Sequence, residues 1–179
     1  MQNYRRYAQP ISKTINEVHF INIFKFIFFS TLNGEDIKEY IVTGSDITKT
    51  KSFDLGNNST FSSFTVNGSW TDNYGNYGFN KCMGIINKNI NNVELYFMCE
   101  REDKNGHKYW TISRRNSETQ SSGVGSFEIV NATIPKKELF IGKKCTYAVQ
   151  YLKETNFYKS KCKISEELSG VFEKLGSGE

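Results

Sequence analysis

The chain has 179 residues, 23 Lys and Arg against 19 Asp and Glu, and a net charge of +4, which suits one domain with a core and is short for two. Aromatic residues make up 15% of the chain, which excludes a disordered protein, and the two prolines exclude a Pro-rich linker protein. Alanine is rare, whereas Asn, Gly, Phe, Tyr, Ile, Val and Thr are plentiful. This composition favours strands joined by turns.

The N-terminal region divides into a polar arm and an apolar stretch. Residues 1–16 are polar and predict an arm in front of a single antiparallel β domain over residues 17–164. Residues 19–31 are the most apolar stretch and predict a strand that is covered on both faces. A membrane-inserting segment is the alternative, although the stretch is shorter than the roughly 20 residues of a membrane-spanning helix. It also starts late for a standard signal peptide and lacks a clear cleavage site.

Residues 37–43, 48–55 and 59–70 predict the next strands, and residues 70–80 (WTDNYGNYGFN) follow them. Two interpretations of this Gly-, Asn- and aromatic-rich segment stay open. It is a loop whose rings pack on the core, or a binding loop whose rings stack on sugars or enter a lipid headgroup layer. The candidate ligand-binding residues are Trp70, Asp72, Asn73, Tyr74, Asn76, Tyr77 and Phe79.

The four cysteines form two pairs of equal spacing. Cys82 and Cys99 bracket one turn-like run, and Cys145 and Cys162 bracket another. Two disulfides across hairpins, 82–99 and 145–162, are the expectation, each with a slight register offset. Four reduced thiols in a cytosolic protein are the alternative, and without a CxxC knuckle we expect no zinc site.

Four N-glycosylation sequons also occur. Together with the four cysteines they slightly favour an extracellular protein. Their acceptor residues are Asn57, Asn58, Asn67 and Asn131.

The pair Asn105-Gly106 lies between two strand-like runs and predicts a tight type I′ hairpin. That register pairs Lys104 with His107 and places Arg101 opposite Trp110. Glu100 and Glu102 would share one face at a spacing that glycosidase chemistry allows. Because basic residues flank them on an exposed ribbon, we expect no catalytic site there, and we expect His107 to be exposed.

Residues 136–163 are rich in lysine. The surplus predicts a solvated face that protects strand edges, with contact to an anionic membrane as the alternative. We do not expect nucleic acid to be a partner, because the sequence has no zinc-finger spacing, RNP-like motif or Arg-rich run. The candidate basic surface consists of Lys136, Lys137, Lys143, Lys144, Lys159, Lys161 and Lys163.

Residues 165–179 predict one amphipathic helix and a tail. Apolar residues recur at helical spacing, Ser165 is a candidate N-cap, and Gly176 suits the C-terminal end. The helix is expected to pack on the sheet or on another subunit. Its apolar stripe is Ile164, Leu168, Val171, Phe172 and Leu175.

Together these patterns predict an all-β, mainly antiparallel fold: a β-sandwich or barrel of about nine or ten strands with one C-terminal helix. No catalytic, cofactor or metal motif is present, so we expect a non-enzymatic protein that needs no cofactor or metal. The leading hypothesis is a binding protein that recognises a glycan or a protein through residues 70–80. The alternatives are a membrane-active, toxin-like β-sandwich that binds anionic lipid, and a self-assembling viral coat or inclusion protein. Such a protein would associate through the N-terminal arm or the C-terminal helix.

Overall fold

The computed structural model describes residues 37–117 and 122–178. They form eight strands, a short 3-10 turn at Lys137–Leu139 and one α-helix. The strands are β1 (Ile37–Gly56), β2 (Ser59–Asp72), β3 (Tyr77–Lys88), β4 (Val93–Asp103), β5 (Lys108–Ser117), β6 (Gly123–Ala132), β7 (Lys144–Leu152) and β8 (Thr155–Ser165), and the helix is α1 (Glu166–Ser177).

The sheet is a closed barrel with simple up-and-down order. Each strand pairs antiparallel with the next one in the chain, and β1 also pairs with β8. Side chains alternate between the interior and the outer wall: in β2, Phe64 and Val66 are buried while Thr65 and Asn67 are exposed. The prediction of an antiparallel all-β fold with a C-terminal helix is confirmed, and the architecture is a barrel.

The described residues form eight strands. The prediction of nine or ten applied to the whole chain and included the strand 19–31. Two predicted strands, 37–43 and 48–55, are one continuous strand in the structure. Gly44, Ser45 and Asp46 read as a break in the sequence, yet they pair with β2 on one side and β8 on the other. Pairing on both sides holds the backbone extended there despite its weak strand propensity. The predicted arm 1–16 and strand 19–31 lie outside the described residues.

Helix α1 packs on one end of the barrel, which we call the helix end. Leu168, Phe172 and Leu175 are buried, which confirms the predicted apolar stripe, and the Phe172 ring stacks on Tyr40 with 4.1 Å between centroids. Ser165 caps the helix as predicted, because its side chain accepts a hydrogen bond from the backbone N–H of Leu168.

The last turn of α1 is held by the β4–β5 turn. The Lys104 ammonium donates to the carbonyl of Gly176 (2.6 Å), and the Asn105 amide donates to the carbonyl of Leu175 (3.2 Å). These donors satisfy carbonyls that a helix end leaves without partners. Gly176 lies inside the helix. Its lack of a side chain is needed there, because a β-carbon would come within 1.9 Å of the Tyr74 carbonyl oxygen. The C-cap is Gly178 (φ 79°), so the prediction for Gly176 is corrected.

Two hydrophobic clusters divide the barrel interior. The helix-end core contains Phe140 and Ile129, both 0% exposed, together with the apolar face of α1. The second cluster is smaller and includes Phe64, Val66 and Ile86. It lies toward the opposite end, which we call the turn end, where the β1–β2, β3–β4 and β7–β8 turns are found. Among the described residues, no helix is long and apolar enough to cross a membrane.

Both predicted disulfides are present. Cys82 bonds to Cys99 and Cys145 bonds to Cys162, with Cα separations of 4.0 and 4.5 Å. The members of each pair lie directly opposite each other in continuous ladders, so the predicted register offset is wrong. Directly opposed residues of an antiparallel ladder are already close enough for their side chains to meet. The first disulfide lies in the smaller cluster and the second in the helix-end core.

Candidate functional site

The predicted binding segment 70–80 is mostly strand. Trp70 and Asp72 end β2, Tyr77 and Phe79 begin β3, and only residues 73–76 connect the two strands. Trp70 is 2% exposed, and its indole N–H donates to the carbonyl of Phe79 (3.0 Å). Tyr77 and Phe79 are exposed, so the aromatic rings do not share one surface.

The polar members of this segment stabilise the turn. One Asp72 carboxylate oxygen accepts from the backbone N–H groups of Tyr74 and Asn76, both at 2.9 Å. Asn73 bonds the backbone of β1 through both its oxygen and its nitrogen. The Tyr74 hydroxyl meets the hydroxyl of Ser169 on α1 (2.9 Å). Five of the seven candidate ligand-binding residues are therefore buried in this end of the barrel or hold its turn in place.

The predicted basic residues lie outside the barrel interior. Lys144 on β7 and Lys159, Lys161 and Lys163 on β8 are exposed, while Lys136, Lys137 and Lys143 precede β7. Lys136 pairs with Glu167, and Lys161 pairs with Glu39 at 3.0 Å. These ion pairs neutralise part of the lysine surplus. The four sequon residues Asn57, Asn58, Asn67 and Asn131 are all exposed.

A cavity of about 780 Å³ lies inside the barrel between the helix-end core and the turn end, and it is open to solvent on one side. It reaches Lys153 and Glu154 at the β7–β8 turn. A cavity of this size is typical of small-molecule sites, and an eight-stranded barrel is wide enough to hold one small ligand. Much of the lining is apolar: Phe64, Val66, Ile86, Val93, Leu95, Phe97, Phe127, Val149 and the disulfide Cys82–Cys99.

Inward-facing glycines shape the cavity wall. A β-carbon at Gly84 would lie 2.4 Å from the Phe97 β-carbon, and one at Gly125 would lie 2.5 Å from the Tyr147 ring. A glycine inside a strand marks such a close approach. The Phe97 and Tyr147 side chains therefore lie against the neighbouring backbone.

Arg101 is the most unusual residue of the lining. It follows Val93, Leu95, Phe97 and Cys99 on the inward face of β4, and it is 7% exposed. One guanidinium nitrogen donates to the Tyr109 hydroxyl (3.0 Å), and the guanidinium carbon lies 5.2 Å from the centre of the Tyr158 ring. Cation–π contacts of this kind stabilise a desolvated cation only in part.

Asp46, Asn80 and Tyr158 also line the cavity, and with Arg101 we call them the polar floor. The Asn80 amide donates to one Asp46 carboxylate oxygen (3.0 Å). Burial raises the pKa of Asp46 to about 6, although Asn80 and Arg101 oppose the shift. Burial also raises the pKa of Tyr158, so its hydroxyl keeps its proton at neutral pH.

Three buried atoms of the polar floor have no hydrogen-bond partner among the described residues. They are the second carboxylate oxygen of Asp46, the Nε of Arg101 and the hydroxyl of Tyr158. Most buried polar atoms in proteins are hydrogen-bonded, and each exception needs an explanation. Here three such atoms belong to three residues that line the same cavity. This clustering indicates that the polar floor is a candidate site for a polar group of a ligand.

The predicted register of the β4–β5 hairpin is wrong by one residue, which is why the sequence interpretation missed Arg101. The structure pairs Arg101 with Tyr109 and Glu100 with Trp110. One Asp103 oxygen accepts from the backbone N–H groups of Asn105 and His107, both at 2.8 Å. The result is a three-residue loop, with Gly106 at φ 82°, instead of a two-residue type I′ turn.

Glu100 and Glu102 lie on the outer wall of β4, where Lys108 contacts each of them at 3.0 Å. Hydrogen bonds from Lys108 and Trp110 lower the pKa of Glu100, so this carboxyl is ionised at neutral pH. His107 is partly exposed and contacts Asp103 at 3.3 Å. In the described ranges, no three His, Cys, Asp or Glu side chains are placed to hold a metal ion.

No protein-family model, curated protein or solved structure matches the chain.

Proposed function

We propose that this protein is a non-enzymatic binding protein that holds a small, largely apolar molecule inside the barrel. The observation that carries the proposal is the cavity of about 780 Å³ with its apolar and aromatic lining. Removing apolar ligand surface from water stabilises a complex by roughly 25 cal/mol per Å², so such a lining favours an apolar ligand body.

The walls are suited to binding because neighbouring side chains already hold them in place. The Phe97 ring contacts Phe64 and Tyr147 edge-on, with centroid distances of 6.0 and 6.1 Å. The disulfide Cys82–Cys99 joins β3 to β4 on the same wall. A site whose side chains are ordered before binding loses less conformational entropy when a ligand arrives.

The compartment is a part of this proposal. Two disulfides are typical of proteins from oxidising environments, and the four exposed sequon residues are accessible to glycosylation. Both observations support an extracellular location. Combined with the cavity, they favour a carrier or scavenger of a poorly soluble molecule. Recognition of a glycan or protein through residues 70–80 has less support, because Trp70 and Asn76 are buried.

Titration with N-phenyl-1-naphthylamine, an uncharged dye that fluoresces in apolar surroundings, tests the proposal. Val66 lines the cavity, and its neighbour Thr65 points outward. The wild type should bind the dye, and Val66→Trp should weaken binding about tenfold or more, since about 1.4 kcal/mol of lost contact suffices. Thr65→Trp should bind as the wild type does.

Circular dichroism and thermal unfolding establish that each variant is folded. If the wild type fails to bind the dye, or if the folded Val66→Trp variant binds it unchanged, the cavity is not a binding site.

Contact with a lipid surface is a second candidate, and exposed apolar residues at the turn end favour it. Phe53, Leu55, Ile90, Val124 and Leu152 are between 62% and 70% exposed and lie in or near its turns. Apolar residues gathered at one end commonly mark an interaction site.

Co-sedimentation with vesicles containing anionic lipid tests this candidate. Leu55→Ser with Ile90→Ser should reduce the bound fraction, whereas Met83→Ser on the outer wall of β3 should leave it unchanged. Equal sedimentation of both variants would contradict a role for the turn end.

A further inference from the structure

We propose that the polar floor binds the carboxylate head of an amphipathic ligand, with Arg101 as its charge partner and the Tyr158 hydroxyl as a second donor. The inference rests on the proposed function, because the apolar walls must hold the remainder of the same ligand. It extends that function by naming the ligand class: a singly charged organic acid with an apolar body.

Arg101 is costly to bury. Its guanidinium stays charged at any pH that proteins encounter, and the residue is 7% exposed. Its hydrogen bond goes to the Tyr109 hydroxyl, and no carboxylate among the described residues contacts it as an ion pair. Asp46 acts on it only from a distance, and a buried cation without an anion in contact destabilises a fold. A ligand carboxylate supplies that contacting anion.

Arg101 and Tyr158 are neighbours in the polar floor. The centre of the Tyr158 ring lies 5.2 Å from the Arg101 guanidinium carbon. The Tyr158 hydroxyl and the Arg101 Nε both lack a hydrogen-bond partner among the described residues. The guanidinium can only donate, and the Tyr158 hydroxyl keeps the proton that it can donate, so an acceptor on the ligand complements both groups. A carboxylate accepts several charge-assisted hydrogen bonds at once.

Cationic side chains outnumber anionic ones around the cavity. Its lining includes Lys49, Arg101 and Lys153 against Asp46 and Glu154. This surplus of cations favours an anion over an amine as the ligand head group. Asp46 belongs to the same floor as Arg101, and its carboxylate disfavours a doubly charged head group such as a phosphate. A singly charged carboxylate is the head group that both observations fit.

Competition against bound N-phenyl-1-naphthylamine at pH 7.5 tests the inference with three ligands of equal chain length: dodecanoate, dodecanol and dodecylamine. The wild type should bind dodecanoate about tenfold or more tightly than the other two, as a buried charge-assisted hydrogen bond implies. Arg101→Met should remove that preference. Tyr158→Phe, which deletes only the hydroxyl, should reduce it severalfold.

Arg114→Met is the matched control, because Arg114 adjoins Arg115 on β5 but lies on the outer wall, where it contacts the Tyr96 ring. Its preference for dodecanoate should equal that of the wild type. Tyr158→Phe keeps the test valid if Arg101→Met does not fold.

Dye binding distinguishes failure of the proposed function from failure of the head-group site. If the dye does not bind to the wild type, the proposed function itself fails. If the dye binds but dodecanoate has no advantage, or the advantage survives in folded Arg101→Met or stays undiminished in Tyr158→Phe, the head-group site is wrong. Tighter binding of dodecylamine would also overturn it and would point to Asp46 as the charge partner.

Discussion

The two ends of the barrel interior are built from the same strands but are filled differently. At the helix end, Phe140, Phe172 and Tyr40 contact one another through stacked and edge-on rings and close the barrel with a packed core. Toward the turn end, aromatic side chains line the wall and leave about 780 Å³ between them. Arg101 and Asp46 lie where the two regions meet. The helix end therefore supplies stability, while the turn end keeps the space in which we propose that a ligand binds.

The largest expected effect comes from truncating one ring in each region. Phe140→Ala should lower the free energy of unfolding by about 3–5 kcal/mol, because it opens a cavity in a closed core. Phe64 already borders the cavity, so its side chain makes fewer contacts. Phe64→Ala should therefore lower the free energy of unfolding by only about 1–2 kcal/mol. Urea unfolding measures both. Equal costs would contradict the division into a stabilising end and a binding end.

Removing the disulfides one at a time sharpens the same comparison. Each closes a loop with a sequence separation of 17, so the entropy of the unfolded chain predicts a loss of about 3 kcal/mol for either. The pair Cys145–Cys162 lies in the helix-end core, and its replacement by alanines should cost more than replacement of Cys82–Cys99. Urea unfolding of the two double variants measures the difference, and the reverse order would contradict the packing argument.

Asp46 should make stability depend on pH at the boundary between the regions. Its pKa of about 6 in the fold lies above the ordinary 3.8, so the folded state binds more protons and loses stability as pH rises between these values. Asp46→Asn should therefore be more stable than the wild type at pH 7.5, by about 2–3 kcal/mol, and equal to it near pH 3.5. Thermal unfolding across this range measures the difference, with Glu94→Gln on the outer wall as control. A pH-independent difference would contradict the assignment.

The smallest effect concerns the contact between α1 and the β4–β5 turn. Asn105→Ala removes the hydrogen bond to the Leu175 carbonyl and should cost about 1 kcal/mol. Because α1 closes only the helix end, binding of N-phenyl-1-naphthylamine in the cavity should stay unchanged. Urea unfolding and a dye titration of the same variant check both statements, with Asn116→Ala on β5 for comparison. Weakened dye binding would show that the two ends are coupled.

Local patterns predicted much of the fold. The β-branched and aromatic composition, the paired cysteine spacing and the apolar stripe of residues 164–175 each report on short-range geometry. Among the described residues, both disulfides, the helix and most of the strands are where these patterns indicated. The β4–β5 hairpin shows the limit of such patterns. Asn105-Gly106 predicts the turn, but Asp103 accepts two backbone hydrogen bonds and sets the register.

The candidate site was partly visible in the sequence as well. In the structure residues 93–101 alternate between the interior and the outer wall, and Arg101 faces inward with Val93 and Cys99. The sequence shows this alternation only weakly, because the outward-facing Tyr96 and Met98 are also apolar, and a turn assigned by its Asn-Gly pair obscured it further. Trp70 shows a different limit. An aromatic ring among turn residues is expected to be exposed, but the Trp70 indole packs into the core.

The sequence by itself determined which residues can form strands, which cysteines can pair and where the helix runs, because these depend on residues close in the chain. Closure of the barrel depends on β1 meeting β8, a pairing between residues more than a hundred positions apart that no local pattern encodes. Only that closure turns the inward faces of β1, β3, β4 and β8 toward one another. The polar floor and the cavity above it are therefore products of tertiary structure.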